Sequence, residues 1–248
     1  MTTRTSRTLN AGLSVVFAVL VGMHSIGPAW AQNPELQQRL ADLKESMAKN
    51  KQATAQYTWT ETVTISLKGE QKKQEHFQVR IGPDGKPQKT SLDPPAPAEA
   101  SDQGGGRRGG RLKEHVVEKK KEEYQDYANQ MKALAPQYVP PDKDKLQAAY
   151  QQGNVTLGPA AGDPNDIQLV IKNYVKPQDS MTLLFDKSKK QLLSLKVASY
   201  MDDPKDAMNL TVQFDRLPDG TNHVSSTVID GVSKQLNIAI QNSNYQHL

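Results

Sequence analysis

The chain of 248 residues contains no cysteine. That excludes a disulfide framework, and equally a lipid-anchored lipoprotein, whose acyl groups need a cysteine to carry them. Excess charge of one sign is also missing, with 31 Lys and Arg against 27 Asp and Glu. Without a dominant positive field the chain does not read as a general nucleic-acid binder. Long apolar runs are scarce. Ala11–Met23 (AGLSVVFAVLVGM) has 13 residues, short of the roughly 20 that a membrane-spanning helix needs. No nucleophile elbow, P-loop, dinucleotide fingerprint or internal repeat is present.

What that short apolar run does fit is a leader. Arg4 and Arg7 precede it, and Ala29-Trp30-Ala31 supplies small residues at the two positions a signal peptidase reads. The pattern predicts a signal peptide over residues 1–31 and a soluble, exported chain from Gln32, periplasmic or secreted. The two arginines are not adjacent, so a twin-arginine route is not indicated. A bacterial periplasm suits a cysteine-free chain best, because small secreted proteins elsewhere lean on disulfides. Taking Arg4 and Arg7 from the 31 basic residues leaves 29 against 27 acidic, about +2 over the remaining 217 residues. That length can bury a core as one domain, expected over 32–248.

The opening helix is read from PELQQRLADLKESMAKN, where Leu36, Leu40, Leu43 and Met47 fall on one stripe. Residues 57–67, YTWTETVTISL, then alternate. Tyr57, Trp59, Val63, Ile65 and Leu67 share one face with Glu61, and threonines and a serine take the other, as on a half-buried strand. Lys68-Gly69-Glu70 is a turn, and QEHFQVRIG a second strand with Phe77, Val79 and Ile81 on one face. LDPPAPAEASDQGGGRRGGR, 92–111, has a single leucine and cannot form a core, so a flexible loop is expected. A helix rich in Lys and Glu is expected at 112–135, with an apolar stripe of Leu112, Val116, Tyr124, Tyr127, Met131 and Leu134. A short helix follows from Lys143 to Tyr150.

The remainder reads as strands: DIQLVIKNYV, SMTLLFD, QLLSLKVASY, AMNLTVQFD, HVSSTVID and KQLNIAIQN. Val197, Leu210, Val212, Phe214, Val228, Leu236, Ile238 and Ile240 alternate with polar neighbours, the signature of antiparallel strands with one solvated face. The expected fold is α+β: a curved antiparallel sheet, a half-open barrel of about eight or nine strands, with helices packed on one side.

Candidate chemistry is thin. His76, His115, His223 and His247 lie far apart in the chain, without zinc-motif spacing. MDDPKD is an acidic turn whose Pro204 and Lys205 stand where a calcium loop needs a glycine and ligands. Glu61 is the sharpest case. Among apolar neighbours a carboxylate needs a partner, either a ligand headgroup or a nearby Lys or Arg. A catalytic acid or base would need a second group, and none is apparent. No catalytic residue, metal site or cofactor is expected.

Two stretches carry a resemblance. DLKESMAKNKQATAQYTWTETVTI resembles the first helix and first strand of the lipoprotein-carrier (LolA/LolB-like) superfamily of the bacterial envelope. MTLLFDKSKKQLLSLKVASYMDDPKDAMNLTVQFD resembles its later hairpins, and together they cover under a third of the chain after the leader. The resemblance implies a half-open antiparallel barrel closed by helices around an apolar cavity that holds acyl chains. Where the carriers have an Arg-Pro stretch and a Trp-containing strand, this chain has the Pro/Gly loop and the charged helix. The carriers' lid-holding arginine has no counterpart, so no functional residue is carried over.

The leading expectation is therefore an exported, non-enzymatic protein binding an apolar ligand or lipid chain. Its expected lining is Trp59, Glu61, Val63 and Ile65 on the first strand and Phe77 and Val79 on the second. Leu195, Val197, Leu210, Val212 and Phe214 complete it from the later strands. The competing expectation is an envelope interaction scaffold with a filled core, engaging a protein partner through the charged helix and loop. An open cavity separates the first from the second.

Overall fold

The computed structural model describes residues 34–94 and 110–248, with side chains omitted at 110–117. The expected leader and its cleavage site, most of the Pro/Gly loop, and the side chains of Leu112, His115 and Val116 lie outside the described residues.

Helix α1 spans Pro34–Thr54, and Leu36, Leu40 and Leu43 bury the predicted stripe with Met47 packed beside it. Two strands, β1 (Tyr57–Leu67) and β2 (Glu70–Ile81), form a hairpin whose two-residue turn is Lys68-Gly69. Both turn residues have positive φ, 53° and 81°. Glycine at the second place is therefore what lets the turn match the strand twist. A short strand β3 (Pro87–Ser91) follows, and after the undescribed segment comes helix α2 (Gly110–Leu134). Pro136 sits in a single 3-10 turn, Ala135–Gln137, that ends α2. Helix α3 (Lys143–Gln151) begins on Asp142, whose carboxylate accepts from the Asp144 and Lys145 amides.

Seven strands complete the chain: β4 (Val155–Pro159), β5 (Asp166–Lys172), β6 (Ser180–Asp186), β7 (Gln191–Tyr200), β8 (Ala207–Arg216), β9 (Asn222–Gly231) and β10 (Leu236–His247). They meander back until β10 pairs with β1, giving one ten-stranded antiparallel sheet in the order β3-β2-β1-β10-β9-β8-β7-β6-β5-β4. The sheet is not closed, because β3 and β4 are its two edges. Ten strands exceed the expected eight or nine by these edge strands, PQKTS and VTLGP, each five residues long.

Register places one face inward throughout. Val63 lies opposite Ile240, Ile240 opposite Thr227, Thr227 opposite Val212, and Val212 opposite Leu195. One correction follows on β9. Its inward positions are Thr227, Ile229 and Gly231, whereas Val228 pairs with Thr211 and Ala239 on the outer face. The inward residues, the α1 stripe, Tyr127, Met131 and Leu134 of α2, and Leu146 and Ala149 of α3 share one hydrophobic core. All three helices therefore cover the same side of the sheet.

The helices are fixed at opposite rims. At the rim with the β6–β7 and β8–β9 turns, buried Asp42 of α1 accepts from Lys190 at 3.0 Å, and Asn50 accepts from the Asn222 amide at 3.2 Å. At the other rim the Tyr127 hydroxyl donates to Asp206 at 2.7 Å. There α2 lies against Gly231, where an added Cβ would come within 2.3 Å of the Tyr127 ring. The β6–β7 turn is itself held by Asp186, which accepts from the Ser188 amide and hydroxyl and the Lys189 amide at 2.8, 2.6 and 3.0 Å. Burial opposes ionisation of this carboxyl, but those bonds and the Lys189 ammonium hold it well below the usual carboxylate range. A depressed folded value means stability that is full above the ordinary Asp range and drains away as pH falls toward the folded one. Asp186→Asn is expected to lower the urea midpoint at neutral pH and to flatten its decline below about pH 4. An unchanged acid slope would assign the decline to other carboxylates.

Candidate functional site

The two halves of the inner face differ. On the β5–β8 half, Leu183, Leu195 and Val212 are fully buried and the core is filled by α1, α3 and the segment after α2. On the other half, where β1, β2 and β3 form a wing, a half-open cleft of about 430 Å³ remains. Its floor is Val63, Phe77, Leu210, Ile229, Ile238 and Ile240. Thr227 is the polar interruption on that floor, and Ala135, Pro136 and Val139, from the 3-10 turn and the link after it, form the facing wall. No residue of α1 or α3 lines it.

Among the described residues, four charged side chains line the cleft: Glu61, Glu75, Lys89 and Lys132. Glu61 is the expected carboxylate among apolar neighbours, 7% exposed, and its partner is Lys89 on β3. Lys89 also stands over the Phe77 ring, 5.8 Å from its centre. Edge strand β3 thus supplies the cation that the buried carboxylate requires. Glu75 pairs along its own strand with Lys73 at 2.9 Å. Lys132, exposed in the last turn of α2, has no ionic partner among the described residues.

The facing wall is pinned by a buried network. Asp179, 2% exposed, accepts from the Tyr138 hydroxyl at 2.6 Å and from the Tyr174, Val175 and Lys176 amides at 2.6, 2.9 and 2.8 Å. The Tyr138 hydroxyl also meets Ser199 at 2.8 Å. Burial, with Asp179 beside it, pushes the Tyr138 phenol far above its ordinary range, and burial raises Tyr174 to about 12. Both stay protonated hydrogen-bond donors at any physiological pH.

Four of the eleven sequence-derived lining residues, Glu61, Val63, Phe77 and Leu210, border the cleft. Leu195, Val197 and Val212 lie on the same face but inside packed core, and Val79 is fully buried. Trp59 is stacked on Tyr245, ring centres 5.5 Å apart, beyond the end of the cleft. Ile65 and Phe214 pack against the core at its margin. The cleft also takes residues outside that set, from β9, β10, β3 and the end of α2. Ile238 and Ile240 announce themselves by alternation, but their place beside Val63 follows from the β1–β10 pairing. Among the described residues no three His, Asp or Glu side chains could hold a metal ion, and no helix is long and apolar enough to cross a membrane.

Neither a family model nor a curated protein sequence matches the chain. Two solved structures are similar to it. One is a DUF1329 family protein from Desulfovibrio piger, 12% identical with a TM-score of 0.40, covering 84% of this chain and 92% of that one. The other is a LolA superfamily protein from Nitrosomonas europaea, 8% identical with a TM-score of 0.36, covering 83% and 93% respectively.

Proposed function

We propose that the protein is an exported, non-enzymatic binding protein that holds an apolar chain, such as a lipid tail, in the cleft between the β1–β3 wing and the end of α2. The observation that supports this reading is the contrast within one core. One half of the sheet is packed shut, while the other borders a half-open cleft lined by half-buried Phe77 and Ile240 together with buried Val63, Leu210, Ile229 and Ile238. The volume, about 430 Å³, falls in the roughly 300–1,000 Å³ range of small-molecule sites. Each buried methylene gains about 0.8 kcal/mol, so ten or so would outweigh the several kcal/mol of immobilising a single chain.

Calorimetric titration with a series of straight-chain alcohols tests the idea. Affinity is expected to climb about threefold to fourfold per methylene until the cleft is full, and then level off. No binding at any length would sink it. The scaffold reading draws on a different observation, the exposed face of α2 from Glu118 to Glu123. A protein partner captured there without any alkyl binding would favour it.

A further inference from the structure

The four charges around the cleft sum to zero, but they do not all pair with one another. Glu61 is neutralised by Lys89, and Glu75 by Lys73. Lys89 is committed twice, to Glu61 and to the Phe77 ring. What remains is Lys132, with no partner among the described residues, reaching the cleft from the helix side where Ala135 and Pro136 continue the wall. A cation in the last turn of a helix already complements the backbone dipole. That accounts for a lysine on this turn, but not for its facing an apolar floor whose other charges are paired.

We infer that the ligand is a monoanionic amphiphile: one apolar chain along Val63, Phe77 and Ile240, ending in a single small anion such as a carboxylate held at Lys132. This rests on the chain-binding reading above and narrows its ligand class. An ammonium head would meet Lys132 as a like charge, and a neutral head would leave it unused. Lys132 is exposed, so solvent screens the pair, and the preference is expected to be about tenfold and to fade with added salt.

The test compares three probes of equal chain length, a carboxylate, an alcohol and an ammonium, by calorimetry on the full-length protein. The carboxylate should bind about tenfold more tightly than the alcohol at low salt, and the ammonium more weakly than either. Lys132→Gln should bring the affinities for carboxylate and alcohol together. Lys132→Arg should restore the difference, and Lys132→Glu should invert the order in favour of the ammonium. Equal binding of carboxylate and alcohol by the unaltered protein overturns the inference while chain binding stands. A preference that survives Lys132→Gln overturns the assignment to this residue. Failure of all three probes overturns both readings together.

Discussion

Asp179→Ala is expected to cost the fold about 3–5 kcal/mol, the largest loss from any single polar side chain described here. The carboxylate ends the chains of four donors in a site only 2% exposed. Removing it strands three backbone N–H groups, at about 1–3 kcal/mol for each that water cannot reach, and leaves the Tyr138 phenol with Ser199 alone. For a chain of this size the melting temperature should fall by roughly 6–20 °C. Tyr138→Phe takes away one donor and keeps the packing, so about 1–2 kcal/mol is expected. Thermal and urea denaturation measure both. A loss below 1 kcal/mol for Asp179→Ala would mean that the β5–β6 turn holds its shape without the carboxylate, and that the wall of the cleft is anchored elsewhere.

Filling the cleft should remove binding and spare the fold. Thr227 is half-buried on the inner face of β9, between Val212 and Ile240, and its side chain borders the open space. In Thr227→Trp the indole has existing volume to occupy, so stability should change by no more than about 1 kcal/mol. The ring would displace several methylenes of any bound chain. At about 0.8 kcal/mol each, losing three or four weakens binding on the order of a hundredfold. Thr227→Ser should bind like the unaltered protein. Undiminished affinity in a folded Thr227→Trp variant would place the alkyl chain somewhere other than this cleft. Ala135→Trp fills the same space from the opposite wall and guards against a local distortion of β9.

How legible was this site in the sequence? The strands with clean alternation were fully so, because a half-buried strand writes its period into every second residue. YTWTETVTISL and AMNLTVQFD are found where the pattern puts them. The edge strands were not. PQKTS is exposed at every position, so no burial period exists to be read. Yet that strand provides Lys89, the partner of Glu61. The need for such a partner was visible from Glu61 alone, whereas its identity depends on which strand lies next to β2. On β9, Val228 looks like the apolar member of an alternating run, but Thr227 and Ile229 are the ones that face inward. There HVSSTVID places valine and isoleucine side by side, and only register decides between the two faces. The boundary between packed core and open cleft was illegible for a related reason. It is set by where the helices lie: no residue of α1 or α3 lines the cleft, and Ala135, Pro136 and Val139 after α2 form its facing wall.

The pairing of β1 with β10 also fixes an order of assembly. The hairpin made by β1 and β2 has no place in the sheet until the residues from Leu236 to His247 are available to receive it. Between these partners lie nearly all the other residues of the fold, so joining them closes the longest loop in the molecule and must await it. A ribosome-bound chain thus carries its first hairpin without a sheet to join, and the open cleft, whose floor needs both β1 and β10, comes into being only with the last strand. Cooperative completion from the C-terminal end is therefore built into the topology: a chain shortened before Leu236 would have no bridge between its β4–β9 meander and its opening hairpin.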